Sequence, residues 1–228
     1  MPNFPRTDLA VEAEAIPRSA AAVTELPGVR AEETNRRGFS VTEVHVLDAA
    51  GENALCKPIG DYYTLALDPL LRREDDAFEN AAQTLAELLR GVLPLMPDAS
   101  VLVVGLGNRA ITPDTLGPDA ADMVLATRHI GGEFARSVGL DDLRPTAVIT
   151  PGVLGQTGTE SGEIVRGVCS VVHPAAVVVI DALAARSVAR LGCTVQLCDT
   201  GIAPGSGVGN NRQPLNQSTL GVPVVGMG

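Results

Sequence analysis

The sequence contains no tryptophan, and only 3% of its 228 residues are aromatic. Val, Leu, Ile and Ala must therefore fill any core, and a hydrophobic content of 45% supplies enough of them. Basic residues are scarce. Seventeen Lys and Arg stand against 27 Asp and Glu, for a formal charge of −10. A surface of that sign repels phosphates, which excludes direct nucleic-acid binding. No apolar run approaches the ~20 residues of a membrane span. Residues 1–17 lack the cationic start and apolar centre of a signal peptide. The four cysteines (Cys56, Cys169, Cys193 and Cys198) show no Cys-x-x-Cys spacing. They read as free thiols of a reducing cytoplasm. There is no His-Glu-x-x-His and no Cys/His cluster, so no metal or cofactor is expected.

What is present is a chain of two textures. Residues 1–37 are rich in Pro, Glu, Arg and Ala and read as a loosely ordered terminus. Strand patterns at Phe39–Leu47 and Tyr62–Leu67, separated by turn signals, predict an antiparallel segment. Residues 75–92 place Phe78, Ala81, Ala82, Leu85, Leu88, Leu89 and Val92 on one helical face. From residue 101 strands and helices alternate. Strands are predicted at 101–104, 147–150, 176–180, 194–197 and 222–225, and helices at 118–129, 163–172 and 184–191. That pattern predicts an α/β fold with a mostly parallel sheet and helices on both faces.

The chain is organised around residues 101–119, VLVVGLGNRAITPDTLGPD. A buried strand runs into Gly105-Leu106-Gly107, and Asp114 follows in the loop before a helix containing Pro118. Val177-Val178-Val179-Ile180 likewise runs straight into Asp181. Each strand delivers a carboxylate to the edge where α/β sheets bind ligands. Two carboxylates held close divide into one acid and one base, which suits activation of water; the same pair could instead ligate a metal. Glycine-rich loops at 151–160 (Gly152, Gly155) and 199–211 (Gly205, Ser206, Gly207) also leave strand ends and are expected to converge there. Gly105-x-Gly107-x-x-Ala110 resembles a dinucleotide fingerprint, but Ile111-Thr112-Pro113 separates it from the helix whose N-terminus would hold a pyrophosphate.

A resemblance rests on Arg6-Thr7-Asp8-Leu9-Ala10-Val11-Glu12, Val103-Val104-Gly105-Leu106-Gly107-Asn108, Thr112-Pro113-Asp114-x-Leu116-Gly117-Pro118, Thr127-Arg128-His129, Pro151-Gly152-Val153, Ile180-Asp181-Ala182-Leu183-Ala184-Ala185-Arg186-Ser187 and Gly201-Ile202-x-Pro204-Gly205-Ser206-Gly207-Val208-Gly209-Asn210. From about residue 6 to its end the chain resembles the germination protease family of spore-forming bacteria. The resemblance implies an atypical aspartic endopeptidase that degrades small acid-soluble spore proteins. Its core would be similar to the hydrogenase-maturation proteases, with essential aspartates at Asp114 and Asp181. It implies a homotetrameric zymogen of the spore core (a cytoplasmic location) that cuts off its own N-terminus. The family's preference for an acidic residue, then a hydrophobic one, then Ala places the processing cut between Asp8 and Leu9. That leaves residues 1–8 as propeptide and 9–228 as a single protease domain, with family members continuing past Gly228.

Overall fold

The computed structural model describes residues 7–21, 26–205 and 212–228. Its strands are β1 (Val29–Arg36), β2 (Phe39–Val46), β3 (Gly60–Ala66), β4 (Val101–Gly105), β5 (Thr146–Ile149), β6 (Ala176–Ile180), β7 (Thr194–Cys198) and β8 (Val224–Met227). Its helices are α1 (Ala10–Ala21), α2 (Ala49–Leu55), α3 (Asp68–Leu71), α4 (Ala77–Val92), α5 (Leu116–Asp122), α6 (Gly132–Ser137), α7 (Leu154–Thr157), α8 (Ser161–Val172) and α9 (Gln217–Leu220). The described residues form two compact units. One takes the chain up to Val92 together with Leu183–Thr200 and Gly205. The other takes Leu93–Ala182, Gly201–Pro204 and Arg212–Gly228.

In the first unit β1, β2, β3 and β7 pair antiparallel in that order. The β1–β2 hairpin turns through Arg37 and Gly38, both at positive φ (51° and 88°), as a two-residue hairpin turn requires. Strand β2 is buried on both faces. Val44 and Val46 pack with Ala10, Ala13, Leu55, Tyr62 and Cys198. Phe39 and Val41 pack on the other side with Leu65, Ala77, Ala81 and Leu88. This explains why apolar alternation along β2 shifts phase halfway: Phe39 and Val41 face one way, Val44 and Val46 the other.

In the second unit β8, β6, β4 and β5 pair parallel in that order. Every residue of β4 is buried, as are Ala176–Val179 of β6. Such continuous burial is what a parallel sheet demands of its central strands. Helices α5 and α8 pack against β4.

The α/β expectation holds, with helices flanking the strands, but several readings are corrected. Parallel pairing does not dominate, because only four of the eight described strands pair that way. The strand at 194–198 forms as expected but joins β3 antiparallel. A parallel connection needs a covering crossover, usually a helix, and between β6 and β7 only a single 3-10 turn forms, at Val188–Arg190; the helix expected at 184–191 is absent. The helix expected at 118–129 starts at Leu116 and stops at Asp122. Residues beyond it are drawn to β5 instead: Thr127 N–H donates to Thr146 O at 3.0 Å, and Thr146 N–H donates to Thr127 Oγ1 at 2.9 Å. The expected loose terminus is helical over α1, and β1 and α2 appear where no element was read. Loop 199–211, expected to leave a parallel strand, instead follows β7, which pairs antiparallel.

Candidate active site

Strand β4 ends at Gly105, and Leu106 N–H extends the ladder by donating to Ile180 O at 2.8 Å. Helix α5 then lands directly on the two strand ends. A Cβ on Gly117 would lie 2.2 Å from Leu106 O and 2.4 Å from Ile180 O, and a Cβ on Gly105 would lie 2.2 Å from Gly117 O. Neither position admits a side chain without moving backbone. This close approach fixes where both carboxylates enter. Asp114 stands three residues before Gly117, and Asp181 follows Ile180.

The loop between β4 and α5 closes on itself. Gly107, at φ +126°, passes so near Asp114 that a Cβ would fall 2.0 Å from its carbonyl oxygen. Asn108 N–H donates both to Asp114 O at 3.0 Å and to Asp114 Oδ2 at 2.9 Å. Asp114 N–H donates to Ile111 O at 2.8 Å. The half-buried carboxylate therefore hangs from a fixed frame. Asp181 is more enclosed, at 8% exposure. Its N–H donates to Met227 O at 3.0 Å, adding a rung toward β8, and its Oδ1 accepts from Ala182 N–H at 2.8 Å. Asp181 thus follows directly on the end of β6, and Asp114 lies in the loop that leaves the carboxyl end of the neighbouring β4, the edge where α/β folds place chemistry.

The loop after β5 joins this frame through a residue that sequence reading missed. Gln156 Nε2 donates to Asn108 Oδ1 at 2.8 Å, tying α7 to the residue that holds Asp114. Gly152 follows Pro151 at φ +72°, and Gly155 lies within α7 with open space around it. Gly205 sits in a turn of the first unit, whereas Ser206 and Gly207 lie outside the described residues. Among the described residues no three His, Cys, Asp or Glu side chains gather as a metal would need.

Asp8 and Leu9 belong to the first unit, where they are firmly held. Asp8 N–H donates to Ala184 O and Ala184 N–H returns a bond to Asp8 Oδ2, both at 2.9 Å. Leu9 is 2% exposed. Ala10 N–H donates to Gln196 Oε1 at 2.7 Å. Glu12 anchors the start of α1 by accepting from Arg186 N–H at 2.7 Å, Ser187 N–H at 2.8 Å and Thr7 Oγ1–H at 2.5 Å. Burial pushes the Glu12 carboxyl up, but these bonds and the Arg190 charge outweigh it and hold the group below its ordinary 4.5. The partners Gln196, Ala184 and Lys57 carried no sequence signal, because nothing local marks a residue that reaches the terminus across more than 40 positions of chain.

Fold and site together define an α/β protein with one carboxylate directly after β6 and another in the loop between β4 and α5. A family model described as germination protease matches residues 6–228. The germination protease of Caldanaerobacter subterraneus subsp. tengcongensis is 45% identical over 223 residues, covering 98% of this chain and 67% of that protein. Those of Clostridium tetani and Clostridium acetobutylicum are 43% and 41% identical, covering 98% and 99% of this chain and 68% and 69% of theirs. The chain belongs to the germination protease family, and membership carries a protease role in spore germination.

Proposed function

We propose that the chain is an endopeptidase of atypical aspartic type that cleaves small acid-soluble spore proteins in the spore core, with Asp114 and Asp181 sharing one water. The observation that carries this reading is the landing of α5 on β4 and β6, with Gly117 against Ile180 O. It anchors the segments bearing the two aspartates to one sheet edge. One carboxylate takes a proton from water as it adds to the scissile carbonyl, and the other returns a proton to the departing amine. The 151–160 loop, linked to Asp114 through Gln156 and Asn108, is proposed to grip the substrate backbone. The parallel unit is the part proposed to resemble the hydrogenase-maturation proteases.

The chain is further proposed to be a zymogen that cuts itself between Asp8 and Leu9, and to assemble as a homotetramer. Met123 at 88% exposure, with Leu116, Leu125 and Phe134 also exposed on the second unit, supplies apolar surface for such contacts. Asp114→Asn tests the reading. It should abolish both self-processing and cleavage of a peptide bearing Asp-Leu-Ala, while circular dichroism and the melting midpoint stay near those of the parent. Retained cleavage rejects the dyad.

A further inference from the structure

We propose that Lys57 and Gln196 are catalytic residues of self-processing, holding the carbonyl oxygen of the Asp8–Leu9 bond and stabilising the oxyanion that forms on it. The inference rests on the reading of Asp8–Leu9 as the processing bond. Asp8 O receives two donors from elements far away in sequence. Lys57 Nζ, just beyond α2, donates at 2.9 Å, and Gln196 Nε2, on β7, donates at 3.1 Å. The amide of Gln196 can stand only one way round. Its Oε1 accepts from Ala10 N–H at 2.7 Å, so its NH₂ must face the Asp8 carbonyl. With Gln196 only 3% exposed, the donor is fixed and shielded from water.

Lys57 is the more telling partner. Its ammonium donates to Thr7 O at 3.1 Å as well as to Asp8 O. Burial draws its pKa below the ordinary value, against the pull of the Asp8 carboxylate and of the Cys198 and Cys56 thiols. In the ground state the two oxygens that this buried ammonium touches as hydrogen-bond acceptors are neutral carbonyls. The cation becomes well matched when one of those oxygens takes on negative charge, which is the difference that accelerates a reaction.

The departing side of the bond is also engaged. Leu9 N–H donates to Thr7 Oγ1 at 3.1 Å, and that hydroxyl donates to Glu12 Oε2. Water oxygen adds to the Asp8 carbonyl carbon and gives its proton to a carboxylate base, while the carbonyl π pair moves onto the oxygen held by Lys57 and Gln196. On collapse that pair re-forms the C=O bond, the C–N bond breaks, and the Leu9 nitrogen leaves with its pair and takes a proton from the second carboxyl of the aspartate pair, the acid. Asp8 is left with a new α-carboxyl group, whose proton passes to the freed Leu9 amine.

The test is a time course of self-processing by the full chain, read from the N-terminal mass. Lys57→Met and Gln196→Glu should each slow cleavage at Asp8–Leu9 by about 100-fold or more, the loss expected for one oxyanion donor. Lys57→Arg, which keeps a cationic donor, should retain most of the rate. Gln196→Glu keeps the acceptor for Ala10 N–H, and an unchanged melting midpoint shows that α1 remains docked. Processing of Lys57→Met or Gln196→Glu at the parent rate or faster overturns the proposal, a faster rate showing that the contacts merely lock the segment. A parent chain cut at another bond instead overturns the choice of processing bond.

Discussion

Individual side chains in this protein are held by backbone donors, and two of them tie stability to pH. Glu12 has its carboxyl pKa lowered on folding, so its contribution is complete above about 4.5 and is lost as pH falls through the lower folded value. Glu12→Gln should therefore melt earlier than the parent at neutral pH, with the gap closing as pH falls through the acid range. A gap independent of pH would contradict this. Asp199 behaves oppositely. Burial raises its pKa above 3.8, against bonds from backbone N–H groups that include that of Asp61. A raised carboxyl costs stability once pH exceeds the unfolded value, so Asp199→Asn should melt later than the parent at pH 7 and match it below pH 3. The apolar runs before Asp181 and before the loop that carries Asp114 were legible as buried strands, and both form as β6 and β4. Asn108, Gln156, Lys57 and Gln196 were not legible, because their roles arise from hydrogen bonds that join distant segments.

At the scale of elements, what was legible depended on whether a pattern was carried by local periodicity. Helices α4 and α8 and strands β2, β3, β4 and β6 each announce themselves by apolar spacing and form close to where it puts them. Strand β1, VRAEETNR, is nearly all polar and no residue of it is fully buried, so no apolar spacing marks it. Helix α1 contains Pro17 and owes its start to Glu12 and Gln196, not to propensity, so composition read it as a loose end. The direction of β7 could not be read at all, since a strand's pattern does not encode whether its neighbour runs parallel. The contact between α5 and the strand ends makes a sharp prediction. Gly117→Ala places a methyl 2.2–2.4 Å from two backbone carbonyl oxygens, so α5 must shift. The cost should be about 1–3 kcal/mol in urea unfolding, with a loss of peptidase activity larger than the stability change alone explains. A neutral substitution would show that α5 does not set the geometry of the edge.

For the whole molecule, one compact unit is antiparallel and holds the N-terminal segment, and the other is parallel and holds both carboxylates. A family model matching residues 6–228 shows that the chain belongs to the germination proteases. No described helix is long and apolar enough to cross a membrane, and the charge of −10 suits an enzyme directed at proteins instead of DNA. The measurement that reaches the central claim most directly is a double-mutant cycle on peptide cleavage with Asp114→Asn, Asp181→Asn and the two combined. If the carboxylates act as a unit, each single change should lower kcat/KM by about a thousandfold or more, and the double should be no worse than the poorer single. Losses that multiply, or a single variant that cleaves at the parent rate, would contradict a shared water.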